Sequence, residues 1–128
     1  ILTGGKRIDR EGYFMEPTIL IDVTENVPSY SEELFGPVVS IIRVKDDDEA
    51  ISVANDTRFG LGASIYTKDI KRAKTLVPRI EAGCVFINGL VKSDPRMPFG
   101  GIKRSGIGRE LSEEGIREFT NIKSVWIK

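Results

Sequence analysis

Short β-branched runs alternate along this chain with stretches of helical periodicity, and that alternation restricts it to an α/β architecture. The expected fold is a mixed or parallel sheet whose strands are joined by crossover helices. Strand candidates are residues 18–23, 38–44, 62–67, 84–88 and 123–127. Val38-Val39-Ser40-Ile41-Ile42 is apolar on both faces, a pattern that fits a strand covered on both sides.

Three helices fit the intervening segments. Asp46 followed by Glu49 resembles a capping arrangement, after which Ala50, Ile51 and Ala54 share a face and the helix ends near Asn55. A second is expected to start around Asp69, to carry Ile70, Ala73, Leu76 or Val77, and Ile80 at helical spacing, and to stop at Gly83. Pro78 predicts a kink or early break in it. The third places Ser112 at the N-cap, Glu113 and Glu114 in the first turn, and Leu111 against Ile116.

Composition excludes several classes of function. The chain has 128 residues, 40% hydrophobic and 30% charged, which is enough for one core at most. Lys and Arg total 19, as do Asp and Glu, so there is no basic excess for binding nucleic acid. No apolar run approaches the ~20 residues that a membrane-spanning helix needs. Cys84 is the single cysteine, which rules out an intrachain disulfide, and the lack of a signal-peptide pattern fits a cytoplasmic protein. There is no histidine, so neither a Ser/His nor a Cys/His pair can be assembled from this chain. The opening Ile1-Leu2-Thr3 reads as a chain cut from something longer.

Two connections, residues 24–37 and 89–109, are long for a compact domain, and segments of that length either carry function or hide an element. The first contains Glu32-Glu33-Leu34-Phe35-Gly36-Pro37. A carboxylate there can accept hydrogen bonds from sugar hydroxyls while the ring packs on a flat heterocycle; the alternative is a solvated acidic turn with a core Phe. The second contains Pro98-Phe99-Gly100-Gly101-Ile102-Lys103-Arg104-Ser105-Gly106-Ile107-Gly108-Arg109-Glu110. It lacks the third glycine of a dinucleotide fingerprint and no strand leads directly into it, so unusual dihedrals and close backbone packing are favoured over a phosphate cradle.

Five ordered motifs resemble the aldehyde dehydrogenase superfamily: residues 12–18 (Gly-Tyr-Phe-Met-Glu-Pro-Thr), 32–38, 55–61 (Asn-Asp-Thr-Arg-Phe-Gly-Leu), 82–88 (Ala-Gly-Cys-Val-Phe-Ile-Asn) and 98–111. The resemblance covers nearly the whole chain. It implies the C-terminal quarter of a longer polypeptide, with residues 1–121 forming the later part of the catalytic domain and 122–128 a strand used to form a homo-oligomer. It further implies that Glu33 hydrogen-bonds the nicotinamide ribose of NAD or NADP, that Phe35 packs beside the nicotinamide, and that Phe99 lines the pocket for a small-molecule aldehyde. Residues 88–96 look closest to the succinate-semialdehyde subgroup, where Ser93 and Arg96 are the natural donors to a distal carboxylate; the alternative for Arg96 is a plain surface charge.

The family's chemistry is covalent thiol catalysis, and the resemblance places its nucleophilic Cys, its Glu base and its cofactor domain in preceding sequence. This chain is then expected to hold no catalytic residue and to be inactive alone. Cys84, in a strand pattern with no activating group nearby in sequence, is expected to be a packed core thiol. A competing reading is a non-catalytic module that folds alone or joins a complementary chain.

Overall fold

A computed structural model describes residues 1–128, and the chain divides into two compact units, Ile1–Ala50 and Ile51–Lys128. In the first unit, β1 (Thr18–Leu20) pairs in parallel with β2 (Val38–Ser40), with Thr18 opposite Val38. The N-terminal residues add antiparallel bridges, Thr3 to Ile19 and Arg7 to Met15, which makes the pairing mixed. Thr18 anchors this corner: its hydroxyl donates to the Glu16 carbonyl and accepts from the Gly5 amide, both at 2.8 Å. The long connection between the strands hides a single helical turn, α1 (Pro28–Ser31), begun by a proline whose missing N–H is no loss at that position.

The division between the units falls within α2 (Asp47–Asn55). Its start is close to the expected box: Asp46 accepts from the Glu49 amide at 2.9 Å, but Glu49 reaches one residue further back, to the Lys45 amide at 2.7 Å. Three acids in the first turn face the positive end of the helix dipole.

In the second unit, β3 (Gly62–Ile65) pairs in parallel with β4 (Cys84–Ile87), joined by α3 (Ile70–Leu76). Asp69 caps α3 by accepting from the Arg72 amide at 2.9 Å. Pro78 then tightens the chain into a 3-10 turn, Val77–Arg79, so the helix ends well before Gly83. Gly83 has a different task. A β-carbon there would lie 1.8 Å from the Gly100 carbonyl oxygen, so the start of β4 runs directly against the glycine-rich loop. The last helix, α4 (Ser112–Arg117), carries an ion pair between Glu113 and Arg117, one turn apart.

Two side-chain amides extend the second unit's backbone pairing. Asn88 adopts φ 53°, accepts from the Thr67 amide and donates to the Thr67 carbonyl, each at 2.8 Å, adding a rung beyond β4. Asn55 does the same for Arg79 and Glu81, again at 2.8 Å. Both use the amide's paired donor and acceptor as a substitute peptide.

Several expectations are corrected. Residues 123–127 form no strand: a strand needs a neighbour, and none is present to pair with them. Leu111, not Ser112, is the N-cap of α4, at φ 64°; Ser112 turns its hydroxyl to the Glu114 carboxylate at 2.6 Å, and Ile116 faces solvent. The two units replace the single core anticipated from length. Cys84 is half-buried rather than packed in a core, its sulfur 3.9 Å from the Gly100 carbonyl.

The strand faces are the most telling departure. Val39 in β2 is 53% exposed, although its run is apolar on both sides. Val23, Ile51 and Ala73 are the only buried apolar residues, and no large side chain is fully buried. A folded monomer of 14.2 kDa exposes about 6,800 Å². This chain exposes 10431 Å². Even two separately compact units of these lengths would expose only about 8,000 Å².

The tight approach at Gly83 yields a local test. The Gly83 and Ile102 amides both donate to the Gly60 carbonyl at 3.0 Å. Gly83→Ala must push the loop away from β4, so amide exchange at Ile102 should accelerate at least about tenfold, equivalent to losing ~1.4 kcal/mol of local protection. Exchange at Thr18, bonded to Pro37 in the other unit, should stay unchanged.

Candidate functional site

Beyond β4 the chain turns at Asn88 and lays Val91 over Gly62, where a β-carbon would sit 2.6 Å from the valine side chain. A tight turn follows. The Met97 amide donates to the Asp94 carbonyl at 3.0 Å, and the Asp94 carboxylate accepts from the Arg96 amide at 3.0 Å. The same carboxylate takes the Arg96 guanidinium through two bonds, Nε at 2.9 Å and Nη2 at 2.6 Å. Arg96's side chain is otherwise 85% exposed, that of Asp94 only 26%. The side-chain bond from Arg96, then the bond from its backbone amide, hold the Asp94 carboxyl well below the usual carboxylate range; the Arg96 and Lys92 charges act in the same direction. Arg96 is in turn raised above its ordinary value by its bond to Asp94.

Phe99 opens the glycine-rich loop and is fixed by a reciprocal pair of backbone bonds with Glu110, both 2.8 Å. Its half-buried ring borders a cleft of about 200 Å³ whose wall also includes Cys84, Phe86, Lys92, Asp94 and Met97. On its other side it borders a cleft of about 410 Å³ lined by the loop itself, with Glu118 and Phe119.

The loop is held from within and from without. Arg109 donates from one guanidinium nitrogen to the Gly101 and Gly108 carbonyls, at 2.9 and 2.7 Å. Lys103, at φ 54°, donates to the Asn55 and Thr57 carbonyls at 2.8 and 3.1 Å and pairs with Glu81 at 2.7 Å. Ser105 accepts from the Gly60 amide at 2.9 Å. The Arg109 amide lies 3.4 Å from a Glu118 carboxylate oxygen, where a phosphate cradle would need an open donor. Gly100 and Gly101 therefore serve close backbone packing, while Gly106 and Gly108 supply positive φ, in line with the favoured reading of the sequence.

In the first unit, Glu33 and Phe35 lie on the segment between α1 and β2. The Gly36 amide donates to the Leu34 carbonyl and the Val38 amide to the Gly36 carbonyl, both at 2.8 Å, giving two successive three-residue turns. The first of these presents the Phe35 ring to solvent, 94% exposed, so it is not a core Phe. Glu33 is exposed too and makes no hydrogen bond or ion pair within the chain.

The expected residues thus fall in two groups: Glu33 and Phe35 in the first unit, Ser93, Arg96 and Phe99 in the second. Phe99 borders a cleft. Ser93 and Arg96 are exposed and absent from the wall of either cleft. Sequence reasoning missed Lys92 and Asp94, which do belong to a wall; Asp94-Pro95, a turn-initiating pair, was the signal that Asp94 would bond back to its own loop.

Comparison with known proteins places this geometry. The model of the aldehyde dehydrogenase family matches residues 1–125. A succinate-semialdehyde dehydrogenase [NADP(+)] of Mycobacterium tuberculosis is 53% identical over 127 residues, which are 99% of this chain and 28% of the relative. Among solved structures, succinic semialdehyde dehydrogenase from Streptococcus pyogenes, in complex with NADP+, superposes with a TM-score of 0.92 at 46% identity, covering 98% of this chain and 28% of that one. An aldehyde dehydrogenase of Mycobacterium tuberculosis complexed with NAD+ gives 0.91 at 40% identity, covering 99% and 26%. The chain belongs to the aldehyde dehydrogenase family. It spans little more than a quarter of the length of these relatives.

The Asp94–Arg96 pair provides a pH test. Because the folded-state pKa is depressed, the pair persists above the ordinary carboxylate range and is lost only as pH falls through the lowered value. Carbon-13 titration of Asp94 should therefore show its carboxyl still ionised where free aspartates, with pKa about 3.9, are half protonated. Arg96→Ala should return it to the ordinary range.

Proposed function

We propose that this chain supplies the nicotinamide-side and substrate-side surfaces of an NAD(P)-dependent aldehyde dehydrogenase that converts a small carboxylated aldehyde, such as succinate semialdehyde, to the diacid. The observation that carries the reading is 53% identity across 99% of the chain to an enzyme of that specificity.

The overall conversion takes aldehyde, oxidised cofactor and water to acid, reduced cofactor and a proton. In this reading the nucleophilic thiol and the base that activates water come from the rest of a longer polypeptide, and this chain contributes binding and orientation. The bound nicotinamide would supply the hydride acceptor. Glu33 fits its ribose because its carboxylate has no internal partner and can accept from a hydroxyl; Phe35 fits beside the nicotinamide because its ring is presented clear of the chain. Phe99, fixed at both its N–H and its C=O, packs against the aldehyde. Residues 88–96 receive the distal carboxylate, with Ser93 donating a hydroxyl and a cation of the same segment supplying the opposite charge. The tail, with Trp126 at 89% exposure, carries the apolar surface that a homo-oligomer would cover.

Two outcomes test this. In the longer polypeptide, Glu33→Gln keeps the shape but weakens the acceptor. It should weaken cofactor binding by about tenfold, in line with loss of a charged hydrogen bond, and slow hydride transfer in single-turnover absorbance. Unchanged kinetics would remove Glu33 from the site. The 128-residue chain alone, mixed with NAD, NADP and aldehydes, should produce no reduced cofactor and no adduct on Cys84. Turnover abolished by Cys84→Ser would contradict the assignment.

A further inference from the structure

The substrate reading needs a cation for the distal carboxylate, and the arginine that sequence resemblance offers is partly engaged by Asp94. Two of the five Arg96 N–H donors, on Nε and Nη2, are held by Asp94 at 2.9 and 2.6 Å, and the other three lie on a side chain that is 85% exposed. A carboxylate meeting those three donors would do so in open water and next to the Asp94 carboxylate, where an ion pair contributes little. Arg96 also forms no part of the wall of the cleft beside Phe99.

Lys92 stands differently. It forms part of the wall of that cleft of about 200 Å³, together with Phe99, Phe86 and Met97. Its ammonium has no hydrogen bond or ion pair within the chain, so all three donors are free. Asp94, the other charged residue in the wall, has its charge offset by Arg96. What remains is a cleft with apolar sides and a wall lysine that acts on Asp94 only through its charge and commits no hydrogen bond to it. That combination suits a short aliphatic chain ending in a carboxylate.

Resting on the substrate reading above, we propose that Lys92, rather than Arg96, is the specificity-determining cation that selects a carboxylated aldehyde over an uncharged one. The role of Asp94 is then to hold Arg96 in its turn and keep it from competing. Lys92 acts on the distal end of the substrate, so it bears on discrimination and leaves the chemistry at the aldehyde carbon to other groups.

The test uses the longer polypeptide with bound cofactor, and reads the KM for butanal divided by the KM for succinate semialdehyde. In the wild type this ratio should be well above one. Lys92→Met should lower it by about tenfold or more, the loss expected when a charge-assisted hydrogen bond of ~1.5–3 kcal/mol disappears. Lys92→Gln should lower it as well, because it keeps a donor but loses the charge, and Lys92→Arg should restore most of it. Arg96→Met should move the ratio less than threefold. A ratio unchanged in both Lys92→Met and Lys92→Gln, or one that collapses in Arg96→Met alone, overturns the assignment to Lys92 while leaving the substrate reading in place. A wild-type ratio near one overturns the substrate reading itself, and the role of Lys92 with it.

Discussion

Parallel strand pairs need cover on both faces, and this chain cannot supply it. Two two-stranded parallel sheets, three buried apolar residues and 10431 Å² of exposed surface describe a polypeptide whose strands are formed but whose core is not closed. Isolated two-stranded sheets are marginal in water. Here they are held by directional bonds: Thr18 at the corner of the first unit, the Asn55 and Asn88 amides in the second, and Lys103 binding two carbonyls and a carboxylate. Such bonds fix geometry well, but each contributes only about 1 kcal/mol net, so they do not substitute for buried area.

That division between geometry and stability bears on function. Phe99 is positioned by backbone bonds to Glu110 and by a loop tied at Lys103, Ser105 and Arg109, so its placement does not rely on a packed core of its own. Glu33 and Phe35 stand on two tight turns with their side chains unengaged. Within each unit the side chains proposed to meet a ligand thus stand on backbone held by directional bonds, with apolar surface exposed around them. The turn at residues 92–96 pairs Arg96 with Asp94 and leaves Lys92 outside that ion pair.

Signals that act within a few residues were legible in the sequence. Asp46 and Asp69 cap the helices they were expected to cap, Pro78 ends α3, and four of five strand candidates contain a strand, because caps, prolines and β-branched runs work through local backbone geometry. The misses depend on contacts distant in sequence. Gly83 looked like a helix stop, yet its lack of a side chain serves the approach of Gly100, 17 residues on. Ser112 looked like a cap, but the loop bonds that set Leu111 at φ 64° moved the cap back by one. The strand at 123–127 requires a partner that pattern alone cannot provide. Of the cleft walls, Phe99 stood out in the sequence as part of a motif, whereas Lys92 drew notice only once the turn at Asp94 showed which cation was paired.

The claim that this fold borrows its core is tested most directly by urea unfolding of the 128-residue chain, followed by far-UV circular dichroism at several protein concentrations. A self-sufficient domain of this size unfolds in one cooperative step with a slope of about 1–3 kcal/mol/M. The expected result is a broad, shallow change, well below that slope, and sharpened only by self-association at higher concentration. A steep transition with a midpoint independent of concentration would contradict the claim, since it would show a closed core in a monomer.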